Sequence, residues 1–420
     1  MSSPDQVYYD LDVANTFNPG IVPTSYPAIN RLSFTEVRSS PIIDNPSDYY
    51  LSIIRFSLDT AGSMPIMIPQ IDLNQTLATP NQPNATVYYI TLKYDDGVNP
   101  VVYRAERVIF VSQTFTNTGT NGTPQLPTLP LSLETATSRY YWLQSFQFFI
   151  NMVNTAIANA YAGLYALINQ APYTPLPADI TAPASGIYPY ILWDNDNNKA
   201  TMVFPQITPF SYTQDYFNLG NSKLSLYMNN ELFVLFSSFE SILNQTYINP
   251  ASVPIDGDRA NYLIQNYNKK NSNFRKAATA GNEGFLFDCL LMEQPYSTGA
   301  IMSPIQSLVF TTSLVPVVPS LIGIPRIVEN TQASSGQNDN INNEITDLVV
   351  NVVRGDEWFP NVLYLPQAEY RLIDLQGNTP LYGFQISVLW KDIYGIYHDF
   401  FLQNGCNCSL KVLFRKKNLG

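Results

Sequence analysis

Gly383-Phe-Gln-Ile-Ser-Val-Leu-Trp-Lys-Asp-Ile-Tyr-Gly395 and, after a short interval, Cys408-Ser-Leu-Lys-Val-Leu-Phe-Arg-Lys-Lys417 decide the fold. Phe384, Ile386, Val388 and Trp390 alternate with Gln385, Ser387 and Leu389, the period-2 pattern of a strand with one face on a core. Leu410, Val412 and Phe414 repeat it. The last strand runs straight into Arg415, Lys416 and Lys417, the densest positive charge in a chain of formal net charge −11. Such an ending predicts a β-sandwich built to assemble, with a basic tail that meets an acidic neighbour.

The same signature recurs upstream. Tyr49 to Leu58 reads as a strand after the turn Asp44-Asn-Pro-Ser-Asp48. Val87 to Tyr94 and Val101 to Val111 flank Asp95-Asp-Gly97, a hairpin signal of high specificity. Tyr190 to Trp193 and Lys199 to Phe204 flank the Asx-rich turn Asp194-Asn-Asp-Asn-Asn198. Further strands are expected at 223–228, 285–293, 307–318, 346–353 and 370–374, whereas 231–242 fits either a strand or a helix. Trp142, Phe146, Phe149, Ile150, Val153, Ile157, Tyr161, Leu164 and Ile168 recur at spacings of three and four, which predicts one long amphipathic helix within 138–170. Residues 1–40, with Pro4, Pro19, Pro23 and Pro27, are expected to form an extended arm lying on a neighbour, with Pro19 and Pro23 as assembly contacts.

Mainly β structure with one helical region implies a jelly-roll β-sandwich carrying an inserted, partly helical domain. The expected division is an arm over 1–40, a jelly-roll body over 41–130 plus 285–420, and an insertion over 131–284.

Composition limits what the chain can do. Only 13% of residues are charged, about half the usual share, so the surface is polar but mostly uncharged and suits extensive contact with other subunits. The acidic balance argues against a duplex-binding protein, because such binding draws on Lys and Arg. Cys289, Cys406 and Cys408 form no framework spacing and are expected as reduced thiols. The start, Met-Ser-Ser-Pro-Asp-Gln, has no charged n-region and no apolar h-region, so no secretory signal is expected. No run approaches ~20 uninterrupted apolar residues.

Candidate chemistry is sparse. The single histidine, His398, precedes Asp399, but adjacent strand residues point to opposite faces and do not make an acid–base pair. Cys406-Asn-Cys408 lacks the two-to-four-residue spacing of a zinc pair. Asp194 to Asn198 begins like a calcium loop, yet Lys199 stands where glycine is needed and Pro205 where glutamate is needed. No phosphate-binding glycine motif is present, and Asp356-Glu357 reads as a solvated pair. The expectation is therefore a non-enzyme with no cofactor and no metal. A binding module is the rival reading, with Trp193, Asn195 and Asn197 at a hairpin tip as a receptor or glycan contact.

Asn45-Pro-Ser-Asp-Tyr-Tyr-Leu-Ser-Ile-Ile-Arg-Phe-Ser57, Ser303-Pro-Ile-Gln-Ser-Leu-Val-Phe-Thr-Thr312, Glu369-Tyr-Arg-Leu-Ile-Asp374 and the terminal Leu-Trp-Lys-Asp and Leu-Phe-Arg-Lys-Lys resemble penton or minor capsid proteins of small eukaryotic DNA viruses, of the polinton-like virus and adintovirus type. The resemblance covers patches amounting to about half the chain. It implies a jelly-roll virion protein that forms homo-oligomers, pentamers ahead of trimers, at icosahedral vertices. Other capsid proteins are the expected partners, with packaged nucleic acid a further candidate for the basic tail. A double jelly-roll major capsid protein and a receptor- or glycan-binding spike are the alternatives.

Overall fold

The computed structural model describes residues 5–15, 31–59, 63–72, 83–113, 139–173, 180, 182–206, 224–243, 261–264, 276–278, 280–281, 285, 288–317, 343–349, 361–364, 371–393, 395–402 and 405–417. In chain order, the first strands are β1 (Gln6–Ala14), β2 (Ser33–Val37) and β3 (Tyr49–Asp59). A middle group follows: β4 (Ala85–Tyr94), β5 (Val102–Ile109), α1 (Phe146–Ile168), β6 (Tyr190–Asp194), β7 (Lys199–Gln206), β8 (Leu224–Met228), α2 (Asn230–Leu235), β9 (Ser241–Leu243), β10 (Tyr262–Ile264), β11 (Lys276–Ala278), β12 (Asp288–Glu293) and α3 (Gly299–Met302). The chain ends with β13 (Ile305–Thr311), β14 (Glu344–Val349), β15 (Asn361–Tyr364), β16 (Ile373–Asp374), β17 (Gly383–Asp392), β18 (Tyr397–Asp399) and β19 (Asn407–Lys416).

Two compact units result: Met1–Pro65 with Pro304–Gly420, and Ile66–Ser303. In the first, one sheet runs β1-β19-β3-β15, with β16 also on β3, and the other runs β14-β13-β17, with β2 and β18 side by side along β17. The pairs β1·β19, β2·β17, β3·β15 and β13·β14 are all antiparallel. Set aside the short β16 and β18, and first meets last, second meets next to last, and so on inward. That is one long hairpin rolled into two facing sheets, the jelly roll.

Alternation supplies its core. Along β17 every second side chain is buried, and Phe384, Ile386, Val388 and Trp390 face Leu410, Val412 and Phe414 of β19 together with Leu51, Phe56 and Leu58 of β3. Phe56 and Phe310 meet edge-on across the sheets, centroids 4.8 Å apart. At the β2 side, Gly383 is obligatory: a Cβ there would lie 2.7 Å from the Glu36 carbonyl oxygen.

The second unit holds two sheets, β5-β4-β8-β10-β9 and β11-β12-β7-β6. Helix α1 buries Phe149, Val153, Ile157, Ala160, Tyr161 and Leu164. Asn154, on the same helix, closes the edge of β6 by donating Nδ2–H to Ile191 O at 2.8 Å and accepting Ile191 N–H on Oδ1 at 2.7 Å. The carboxamide copies a neighbouring strand and blunts an edge that could otherwise pair elsewhere. Asn229 does the same for the irregular start of β4, accepting Tyr89 N–H at 2.9 Å and donating to Val87 O at 2.8 Å, while its Oδ1 also caps α2.

The structure corrects the expected division. The arm expected over 1–40 contains two strands of the jelly roll, since β1 pairs with β19 over nine residues and β2 pairs with β17 over five. Val7, Tyr9, Leu11 and Val13 alternate with Gln6, Tyr8, Asp10 and Asp12, so this stretch has its own inward face. Pro19 and Pro23 lie outside the described residues. The hairpin of β4 and β5 continues into β8 rather than into the terminal strands, and β12 pairs with β7. The parts 66–130 and 285–303 of the expected body therefore join the second unit, whose limits are Ile66 and Ser303 rather than 131 and 284. The helix itself falls inside the expected window, and the ambiguous 231–242 resolves into α2 followed by β9.

Phe310→Ala removes a fully buried ring at the centre of the jelly roll and should lower its stability by about 3–5 kcal/mol, read by denaturant unfolding. A loss below about 1 kcal/mol, within the range of an ordinary surface change, would mean that the two sheets are not packed face to face there.

Candidate assembly surface

On the outer face of the first sheet, Asp10 of β1 stands between two cations. Its Oδ1 lies 2.9 Å from Arg55 Nη2 of β3 and its Oδ2 lies 3.2 Å from Lys411 Nζ of β19. Arg55 reaches across the intervening strand and also donates to Ser409 Oγ at 3.3 Å. Lys411 Nζ sits 5.6 Å from the Tyr8 ring. The ion-paired side chains all reach solvent, so each pair contributes at most about 1 kcal/mol and fixes register more than stability.

The basic ending is anchored rather than free. Arg415 and Lys416 belong to β19, opposite Tyr50 and Tyr49 of β3. Lys416 N donates to Asp5 O at 2.8 Å, and Lys417 N donates to Asp48 O at 2.7 Å. Lys417 Nζ lies 2.8 Å from Asp374 Oδ1 and 5.0 Å from the Tyr50 ring, so its charge is met within the same chain. Arg415 is exposed.

The outer face of the second sheet is different in kind. Around β2 and β17 it presents Ser33, Thr35, Val37, Gln385 and Ser387, with no charged side chain among them. Gln385 organises this face, donating Nε2–H to Ser33 Oγ at 2.8 Å and to Ser387 Oγ, and accepting the Ser313 hydroxyl on Oε1 at 2.7 Å. Farther along, Glu344 lies 3.9 Å and Asp347 3.2 Å from Arg371 Nη1. Burial pushes the Glu344 carboxyl above its ordinary range, the Asp347 carboxylate adds to the rise, and Arg371 opposes it.

The other sequence candidates fall into structural roles. Trp193 is only 8% exposed and packs on Phe146, centroids 5.0 Å apart, which removes the expected tip for stacking a sugar. Asn195 and Asn197 are exposed, but Asn197 Nδ2 is spent on Asp194 Oδ2 at 2.7 Å. That bond, with the backbone N–H groups of Asp196 and Asn197, holds the Asp194 carboxyl below its ordinary range. His398 stacks on Trp390 at 4.1 Å and its Nε2 lies 2.9 Å from the buried Asp392 Oδ2, while Asp399 turns away to Arg31 at 2.9 Å. Asp392 Oδ1 accepts Ile396 N–H at 2.9 Å, which locks the turn between β17 and β18. Burial pushes the Cys408 thiol up to about 12, with the Asp12 carboxylate adding to it, so a thiolate is disfavoured there.

The family described as Sputnik minor capsid protein V18/19 matches residues 7–416. The chain belongs to that family. It is thus a minor capsid protein, a structural component of the virion, built into capsids with other subunits in the infected cell. An uncharacterized protein V18 of Sputnik virophage is 31% identical over 171 residues, 40% of this chain and 91% of that protein. Among solved structures, a chain of the Sputnik virophage determined by cryo-EM superposes with a TM-score of 0.67 at 23% identity, covering 99% of both chains. The mavirus penton protein superposes with a TM-score of 0.58 at 15% identity, covering 99% of this chain and 100% of that one. At these identities the likeness is one of fold, and it agrees with the jelly roll derived from strand pairing. The matched span begins within β1 and ends in β19, so it takes in both of the paired end strands.

For Glu344 the sign of the pH dependence follows from its raised value. The stability it contributes is complete below the ordinary glutamate range and is lost as pH climbs through the raised value. Glu344→Gln should flatten the thermal-unfolding profile in that window and raise the melting temperature at neutral pH. An unchanged profile would contradict this assignment.

Proposed function

We propose that this minor capsid protein is the vertex subunit, its jelly roll assembling into a homopentamer that the shell surrounds. The observation that carries the reading is the single rolled hairpin of β1 to β3 and β13 to β19, a fold shared over essentially its whole length with the mavirus penton protein. A double jelly-roll major capsid subunit would need a second rolled hairpin. Among the described residues, the sheets β5-β4-β8-β10-β9 and β11-β12-β7-β6 do not nest first-with-last in that way. Burial of Trp193 weakens the reading as a glycan-binding module.

Family membership supports a role without catalysis. Among the described residues no helix is long and apolar enough to cross a membrane. The uncharged Ser33, Thr35, Gln385 and Ser387 face suits the centre of a subunit contact, where charged residues are depleted. For the basic ending, the engagement of Lys417 by Asp374 favours contact with protein over packaged nucleic acid.

Light scattering of the purified protein at low and high salt tests the reading. A discrete pentamer at either ionic strength is the expected result. A trimer would point to a shell or spike role, and a stable monomer at all concentrations would contradict the proposal.

A further inference from the structure

β1 is the outermost strand of its sheet among the described residues, bonded on one side only, to β19. Its outward side chains are all exposed. Its inward ones, Val7, Tyr9, Leu11 and Val13, are only partly buried, although they sit opposite Phe414, Val412, Leu410 and Cys408, which are almost fully enclosed. Detaching β1 therefore uncovers less apolar surface than detaching any strand in the middle of the sheet.

What holds β1 is nonetheless specific. The Tyr9 ring meets Phe384 at 5.2 Å and Phe414 at 6.3 Å, and the Arg38 guanidinium lies 5.0 Å from it. Asp10 fills the slot between Lys411 and Arg55. Asn15 closes the end, accepting Gly405 N–H at 2.6 Å and donating Nδ2–H to Leu402 O at 2.9 Å. Every one of these partners lies at Arg38 or later in the sequence, beyond residues 16–30 that join β1 to the remainder. Those fifteen residues of chain can reach on the order of 50 Å when extended.

The slot on β19 thus selects a strand carrying an aspartate and an adjacent tyrosine in a set register, and it cannot distinguish its own β1 from that of another copy. Exchange of an identical element keeps every contact and adds a covalent tie between subunits, so its free-energy cost is small once copies are held side by side. We propose that in the assembled oligomer β1 of one subunit pairs with β19 of its neighbour, while in the isolated chain it folds back on its own β19. The partner is a second copy of this chain, and the inference rests on the assembly reading above.

The register supplies the test. Asp12 of β1 lies directly opposite Ser409 of β19 on the outer face, where Cα atoms of an antiparallel pair are ~4.5–5.5 Å apart, within disulfide range. Full-length chains carrying Asp12→Cys and chains carrying Ser409→Cys are unfolded together, refolded as a mixture, allowed to assemble and oxidised. The expected result is covalent dimers on a non-reducing gel from the mixture and none from either variant alone. A doubly substituted chain reports on cis pairing. If an oligomer forms, the mixture gives no dimer and the doubly substituted chain closes only within itself, strand exchange is overturned and assembly stands. If light scattering finds monomers throughout, both fail together.

Discussion

The placement of β19 between β1 and β3 is the constraint on which the jelly roll depends. Nine residue pairs on one side and nine on the other bind the end of the chain to its beginning and to its third strand. The bulge at Ile54, between the Lys411 and Val412 pairings, keeps both sides in register with the buried alternation. Leu410, Val412 and Phe414 then form the floor on which Phe384, Ile386 and Val388 of the other sheet rest. A one-residue slip would turn all of these outward at once, so the register is held by the whole core.

This closure allows the chain to carry a large second unit. Because β3 and β13 are held by β19 and β17, the 238 residues from Ile66 to Ser303 leave and return without interrupting the roll. The second unit manages its own strand ends by a different device, using Asn154 and Asn229 carboxamides as substitutes for missing strand neighbours. Abundant asparagine in a chain with little charge thus has a structural use: amides satisfy exposed backbone groups without adding the repulsion that would hinder close subunit packing.

Much of this was legible from residues alone. Period-2 alternation located β17 and β19, Asp95-Asp-Gly97 located the hairpin of β4 and β5, and the aromatic stripe located α1. Prolines at 19, 23 and 27 mask the N-terminal strand in the sequence, although Val7, Tyr9, Leu11 and Val13 carry the needed alternation. Trp193 sits beside an Asx-rich turn that suggests an exposed tip, yet it shares a strand face with buried Ile191 two residues earlier, and that parity points inward. Which strands share a sheet was not legible, because β4 is as apolar and regular as β3 and only long-range pairing assigns them to different units. The Asp10 slot and the Gln385 cluster were equally hidden, since each joins residues tens or hundreds of positions apart.

The central claim is that the two ends of the sequence alone close one jelly roll. Replacing Ile66–Ser303 by a short glycine–serine linker and following thermal unfolding by circular dichroism tests it most directly. A β-rich protein with a single cooperative transition is the predicted result. A collapsed chain that melts without cooperativity and binds hydrophobic dye would contradict the account.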